Sequence, residues 1–223
     1  MKKVLVVVSF MMFLMAGAAH ADYALLQSPG GTALTIHDPA GNGATTAGLA
    51  NLKFGPTQGT AQAYQGFCVD YSTIAFNTWY NSFTMINVPN VPAYNEAAYI
   101  FENYGSVDGP AAQVAIWEVV FEQLTAGGSL GNMTTATNFY VINNPNSIDL
   151  NLAASWVADA AQNGANFNAS NYRLLVSPSA TGGYYGVPLQ DFIVRVPVPE
   201  PGSLMLLGLG LLGLLGVARR KRG

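Results

Sequence analysis

The single cysteine of the chain and one glutamine are the residues whose types and positions suggest covalent chemistry. Cys68 lies in GFCVDYSTI, residues 66–74, where strand alternation puts it on the face of Asp70 rather than with its apolar neighbours. Gln113 lies in AAQVAIWEVVFEQL, residues 111–124, as the one polar member of an apolar helical stripe. A thiolate held against a carboxamide can attack the carbonyl carbon and expel ammonia. The product is an intramolecular thioester.

A strand and a helix would have to bring these two side chains together. Pro110 suits the first turn of the helix, so Gln113 lies near the N-terminus, where the helix dipole and free backbone amides favour anions. Such a position can also lower the pKa of a thiol. We therefore predict that the Cys68 sulfur faces the side-chain carbonyl carbon of Gln113 at about 4 Å or less. The alternative is an ordinary buried thiol, beside a glutamine that binds backbone at a helix start.

The segments FCVD and QVAIW resemble the two halves of the thioester domain of bacterial surface proteins. That family joins the cysteine of an aromatic-Cys-aliphatic-acid motif to the glutamine of a Gln-x-x-Ile-Trp motif. The resemblance implies a thioester between Cys68 and Gln113, with the motif companions Asp70, Ile116 and Trp117. Asp70 is then the candidate acid or base.

The resemblance also implies covalent attachment to a target rather than enzymatic turnover. A nucleophile on the target, typically an amine such as lysine, would displace Cys68 and leave an amide on Gln113. The reaction would occur once per molecule and need no cofactor. The best-known members of the family sit on Gram-positive cells, whereas the C-terminus of this chain is of a Gram-negative type.

The N-terminus has the pattern of a secretory signal peptide. Two lysines precede an apolar run at residues 4–15, and Ala19 and Ala21 form an A-x-A cleavage site. We predict a signal helix over residues 1–21 that signal peptidase removes after Ala21. The mature chain is then exported.

The C-terminus has three parts in a specific order. A Pro-Glu-Pro motif is followed by an apolar run at residues 203–218 and a basic cluster at residues 219–222; the motif consists of Pro199, Glu200 and Pro201. A 16-residue helix over the apolar run rises about 24 Å, slightly less than a hydrocarbon core. We predict that it crosses the inner membrane, with the basic cluster in the cytoplasm.

The last residues, 197–223, resemble the PEP-CTERM sorting signal of Gram-negative bacteria. The resemblance implies that an exosortase-type enzyme cuts near the Pro-Glu-Pro motif. It also implies that the protein then passes to the cell surface or to the extracellular (biofilm) matrix.

Charge and composition exclude other partners. The segment from Asp22 to Glu200 has three basic residues against twelve acidic ones, a formal net charge of −9. An acidic surface repels phosphate backbones, so we exclude nucleic-acid binding. One histidine, one cysteine and dispersed acids offer no metal-ligand spacing, so we predict no metal site.

Two other functions stay open. The first is a passive matrix or coat protein in which Cys68 matters only for packing. The second is a cysteine-dependent hydrolase or acyltransferase, which usually needs a histidine base beside the thiol. After signal cleavage the one histidine is His37, in the turn-rich TIHDPAGNG. The enzyme is therefore the weaker alternative.

The order of patterns predicts one α+β domain over residues 22–196. It would have a largely antiparallel sheet with a helical middle segment packed on one side. Strands from both ends of the segment should share the sheet, with a break at Gly30 and Gly31.

Three helices are expected in the middle, over about residues 94–105, 109–124 and 147–164. Ser147 is the expected cap of the third. On the second helix, Glu118 and Glu122 lie off the Gln113 stripe and are expected to face solvent.

Overall fold

The described residues form a seven-stranded sheet covered by three helices. The computed structural model describes residues 22–38, 41–70, 77–124, 130, 133–134, 138–177 and 190–196. In chain order the elements are β1 Asp22–Asp38, β2 Gly41–Gly55, β3 Gln62–Cys68, β4 Trp79–Asn87, α1 Pro92–Tyr104, α2 Gly109–Leu124, β5 Tyr140–Asn143, α3 Leu150–Asn163, β6 Tyr172–Val176 and β7 Phe192–Arg195, with a 3-10 helix at Ala169–Asn171.

The strands lie in the order β2-β3-β7-β6-β4-β1-β5, and β2 also pairs with β1. Six strands therefore close into a ring, and β5 attaches to β1 outside it. Every pairing between described strands is antiparallel. Strands from both ends of the chain share this sheet, because β3 pairs with β7 and β4 with β6. The predicted mixed fold with a largely antiparallel sheet is confirmed.

The predicted strand break at the glycine pair is wrong, because β1 runs through it. A Cβ built on Gly31 would lie 2.3 Å from the carbonyl oxygen of Ala47, on the neighbouring strand β2. The glycine is therefore required by a close approach of two backbones and not by a turn of the chain.

Helix α2 joins the sheet to the other helices. It packs against β1, β2 and β3 and also against α1 and α3, so every residue from 111 to 120 is buried. Glu118 and Glu122 are buried too, and their predicted solvent-facing position is wrong. Glu122 instead accepts hydrogen bonds from the backbone N–H of Phe139 at 2.8 Å and from the Asn138 side chain at 3.2 Å.

The cap of α3 differs from the sequence prediction. Asp149 precedes the helix in an extended conformation, and its side chain accepts a hydrogen bond from the Leu152 N–H at 2.9 Å. Ser147 has a φ of 54°. This left-handed conformation is not that of an N-cap residue, which has β-region dihedrals.

Aromatic packing fixes the end of β3 against the first helix. Phe67 of β3 lies edge-on to Phe101 of α1, with ring centroids 4.9 Å apart, and Phe101 lies 5.3 Å from Tyr172 of β6. Burying a ring of this kind contributes about 1.5–3 kcal/mol. The residue that follows Phe67 is Cys68, so these contacts position the candidate site.

Several predicted segments lie outside the described residues. They are the signal helix at 1–21 with Ala19 and Ala21, the Pro-Glu-Pro motif at 199–201 and the apolar run at 203–218. Within the part of the chain that the structure describes, no helix is both long and apolar enough to span a bilayer.

Glu96 of α1 gives a testable pH dependence. It is buried and accepts a hydrogen bond from Gln123 Nε2 at 2.5 Å, and burial raises its pKa above the ordinary 4.5. A raised pKa means that the folded state holds the proton more tightly than the unfolded state. Its contribution to stability is therefore full below about pH 4.5 and is lost as the pH rises through the folded pKa.

Glu96→Gln removes this ionisation while keeping an acceptor for Gln123. We expect the variant to unfold at a higher urea concentration than the wild type at pH 7, and the two midpoints to converge toward pH 4.5. Glu102→Gln is the matched control, because Glu102 lies on the same helix but is exposed and paired with Arg195 at 2.9 Å. An equal gain from both variants would contradict the role of burial.

Candidate functional site

Cys68 is the last residue of β3, at the point where β3 loses one of its two neighbouring strands. On one side it pairs with Phe192 of β7. On the other side the pairing with β2 ends at Ala50 and Gly66, although the same register would put Gly48 opposite Cys68. Strand β2 continues alongside β1 instead. The backbone groups of Cys68 on this side need another partner.

The side chain of Gln113 takes the place of the missing strand. The Cys68 N–H donates to Gln113 Oε1 at 2.9 Å, and Gln113 Nε2 donates to the Cys68 carbonyl oxygen at 2.8 Å. A primary amide offers the same donor and acceptor as a peptide group, so it satisfies both backbone groups as a strand would. Gln113 is 0% exposed. These two bonds offset the cost of burying its amide.

The start of α2 determines where this amide lies. Asp108 Oδ1 accepts a hydrogen bond from the Ala111 N–H at 3.0 Å, which caps the first turn. A Cβ built on Gly109 would lie 3.4 Å from the backbone nitrogen of Leu49 on β2. The helix therefore begins beside the part of β2 that does not pair with β3, and Gln113 follows one turn later.

The thiol of Cys68 is attached next to this hydrogen-bonded pair. The two hydrogen bonds between the Gln113 amide and the Cys68 backbone close a ring of atoms that includes the Cys68 Cα and the Gln113 carboxamide carbon. The sulfur is joined to this Cα by a single methylene group. Cys68 is 7% exposed. Burial raises the pKa of the thiol, and the negative charge of Asp70 raises it further.

The lowered thiol pKa that we expected near a helix N-terminus is therefore not found. The thiol is neutral at physiological pH in this conformation. A base must take its proton before the sulfur can act as a nucleophile.

Asp70 holds the start of β7 against the end of β3. It accepts a hydrogen bond from the Asp191 N–H at 3.0 Å through Oδ1, and its carbonyl oxygen accepts from Gln190 Nε2 at 3.4 Å. The Asp191 carboxylate accepts from the Ser177 N–H at 2.6 Å, and burial raises its pKa. Sequence reasoning missed Asp191, because no local pattern links it to a strand so far away along the chain.

The motif companions Ile116 and Trp117 lie one turn after Gln113 and are fully buried. The ring of Trp117 lies 6.2 Å from that of Phe139. Its Nε1 has no hydrogen-bond partner among the described residues. Residues three and four positions apart share a helix face, so both side chains lie on the face of Gln113.

His37 lies in β1, where its Nδ1 is 2.6 Å from Asn42 Oδ1 and its ring stacks on Tyr140 at 4.7 Å. It belongs to a different part of the sheet from Cys68. Among the residues described, no group of three His, Cys, Asp or Glu side chains is placed to hold a metal ion.

Comparison with known families identifies the C-terminus. Residues 197–222 match the PEP-CTERM protein-sorting motif. The chain is therefore an exported protein, made as a membrane-anchored precursor that is processed for sorting to the cell surface. The motif is a processing signal for an exosortase. No curated protein and no solved structure matches the chain.

Proposed function

We propose that this exported protein carries a Cys68–Gln113 thioester and uses it to attach covalently to a nucleophile on a target surface or polymer. The observation that supports this proposal most directly is the pair of hydrogen bonds that holds the Gln113 carboxamide against the Cys68 backbone. The resemblance of FCVD and QVAIW to thioester-domain motifs adds to it. The site of action is the surface or extracellular matrix of a Gram-negative cell, reached through signal peptidase and an exosortase-type enzyme.

The proposed bond forms by acyl transfer from nitrogen to sulfur. Asp70 is the candidate base for the thiol proton. As the sulfur attacks the carboxamide carbon, negative charge develops on Oε1, which already accepts the Cys68 N–H. The C–N bond then breaks, and Nε2 leaves as ammonia with the thiol proton. Holding two reacting groups in a reactive arrangement can lower the activation free energy by about 7–11 kcal/mol.

The thioester would be consumed by a target amine. The amine nitrogen attacks the thioester carbonyl carbon, the C–S bond breaks, and a proton from the amine returns to the Cys68 sulfur. The target is left in amide linkage to the side chain of residue 113. Since the acyl group is not regenerated, each molecule reacts once and the protein is not an enzyme.

A passive surface or matrix protein is the second candidate, and two observations favour it. The Gln113 amide donates and accepts one hydrogen bond as a replacement for a strand, and the buried thiol has a raised pKa. In such a protein Gln113 joins α2 to the sheet, and Cys68 fills space as a small apolar side chain.

The mass of the intact protein distinguishes these candidates. We expect the exported protein, purified without amines, to weigh one ammonia less than its sequence mass. Methylamine should add at Gln113 and free one thiol, which iodoacetamide then alkylates once the protein is unfolded. Mass spectrometry of the intact protein and of its peptides measures both changes.

Cys68→Ala and Gln113→Ala should each abolish the mass deficit and the methylamine adduct. Gln65→Ala is the matched control, because this glutamine also lies in β3 but is exposed; it should leave both signals intact. The passive protein would be favoured if the intact protein had its full sequence mass and if iodoacetamide alkylated the thiol of the unfolded protein without prior methylamine treatment.

A further inference from the structure

A cleft of about 450 Å³ opens where β4 ends, α1 begins and the 3-10 helix leads into β6. Its volume is in the range of small-molecule sites. Five of its ten lining residues are asparagines: Asn87, Asn90, Asn95, Asn166 and Asn168. None of the described lining residues is acidic, and none belongs to the Cys68–Gln113 site.

The amide groups of this cleft are partly held in place. Asn95 is 3% exposed, and its Nδ2 donates to Asn90 Oδ1 and to the Ala165 carbonyl oxygen, each at 2.9 Å. Asn168 Oδ1 accepts from the Ser170 N–H at 3.1 Å. A neutral amide both donates and accepts, as a hydroxyl group does. A wall of amides therefore matches a ligand with several adjacent hydroxyl groups.

Phe167 gives the cleft one apolar wall. Its ring lies edge-on to Tyr99, with centroids 5.7 Å apart, and tilted against Tyr172 at 6.3 Å. These contacts hold the ring, so little conformational freedom is lost when a ligand binds. A rigid aromatic ring among amides is suited to a sugar, which has hydroxyl groups at its edge and C–H groups on its face.

Arg173 adds a positive charge. Its Nη1 donates to the carbonyl oxygens of Ser170 at 2.7 Å and Tyr172 at 2.6 Å, which orients the guanidinium. In the described part of the chain the one ion pair joins Arg195 to Glu102, so Arg173 has no carboxylate partner there. A guanidinium with donors to spare is the preferred ligand of a carboxylate.

We propose that this cleft binds a carboxylated sugar, a hexuronate, because its described lining has one cation and no acid although the segment from Asp22 to Glu200 as a whole is acidic. Arg173 binds the carboxylate, the asparagines bind the hydroxyl groups, and Phe167 packs against the ring. The inference is independent of the thioester, because the two sites share no residue.

Calorimetric titration of the exported protein tests this proposal with hexuronate trimers of the galacto, gluco, manno and gulo series and with their neutral hexose counterparts. We expect at least one uronate trimer to bind and its neutral counterpart to bind about tenfold more weakly or worse, since the neutral sugar lacks the charge-assisted hydrogen bonds to Arg173. Arg173→Gln should remove this preference.

Asn166→Leu provides a second variant that leaves the fold alone, because Asn166 is exposed and its side chain makes no hydrogen bond to a described residue. It should weaken uronate binding several-fold. Asn151→Leu, at an exposed asparagine on α3 outside the cleft, should not. Absence of binding across all uronate trimers, or binding that Arg173→Gln and Asn166→Leu leave unchanged, would overturn the proposal.

Discussion

Gln113→Ala is expected to lower the free energy of unfolding by about 2–6 kcal/mol, because it leaves two buried backbone groups of Cys68 without partners, at about 1–3 kcal/mol each. Those groups now bond to the Gln113 amide at 2.9 and 2.8 Å. The measurement is urea unfolding in a Cys68→Ala background, where no thioester can form. The backbone hydrogen bonds survive in that background, so the thioester does not contribute to the difference.

Gln65→Ala in the same background is the control. The Gln65 amide lies on the exposed face of β3, where its Nε2 is 3.4 Å from Asn51 Oδ1. Its removal should change the free energy of unfolding by no more than about 0.5 kcal/mol. A similarly small change for Gln113→Ala would show that the amide does not join α2 to the sheet.

Gln113→Glu should make the same contact depend on pH. A protonated carboxyl can donate to the Cys68 carbonyl oxygen and accept from its N–H, whereas a carboxylate can only accept. The folded state therefore raises the pKa of the new carboxyl above the unfolded value of about 4.3. Stability close to that of the wild type is expected below this value and should be lost as the pH rises through the folded pKa.

The proximity of Cys68 and Gln113 could be inferred from the sequence because each residue breaks a local pattern, whereas the contact of the sulfur with the carboxamide carbon stays a prediction. One is out of phase with its apolar strand neighbours, and the other is polar within an apolar helical stripe. The form of the contact could not be inferred. The amide binds the backbone of Cys68 because the pairing of β2 with β3 covers only Ala50–Phe54, and no local sequence pattern shows where that pairing ends.

The burial of Glu118 and Glu122 could not be predicted from the local sequence, for a related reason. Helical periodicity shows which residues share a face, and it predicts one covered face for a helix at a surface. Helix α2 is covered on several sides by α1, α3 and the segment around Phe139. These elements come from separate parts of the chain, so only the tertiary fold shows that the acids lie inside.

Simultaneous replacement of Pro199, Glu200 and Pro201 by alanine is expected to abolish the processed form of the protein. Proline disfavours helix and favours extended backbone, and an extended segment can add to a processing enzyme as a strand. Alanine favours helix instead, so the apolar helix predicted at residues 203–218 could continue upstream across the cleavage region. An epitope tag in the exposed loop at residues 56–60 allows every form of the chain to be detected.

Cell fractionation followed by immunoblotting separates the steps. The triple variant should lose the predicted signal peptide, stay in the membrane fraction at the size of the precursor that the exosortase has not cut, and be missing from the surface fraction. Pro145→Ala, at an exposed proline between β5 and α3, should be processed like the wild type. Normal amounts of surface protein from the triple variant would mean that the enzyme does not read the motif. If the full-length chain were confined to the cytoplasm, export itself would have failed before the processing step. The basic residues at 219–222 cannot explain such a result, because positive residues retain only a chain that has already begun to cross the membrane.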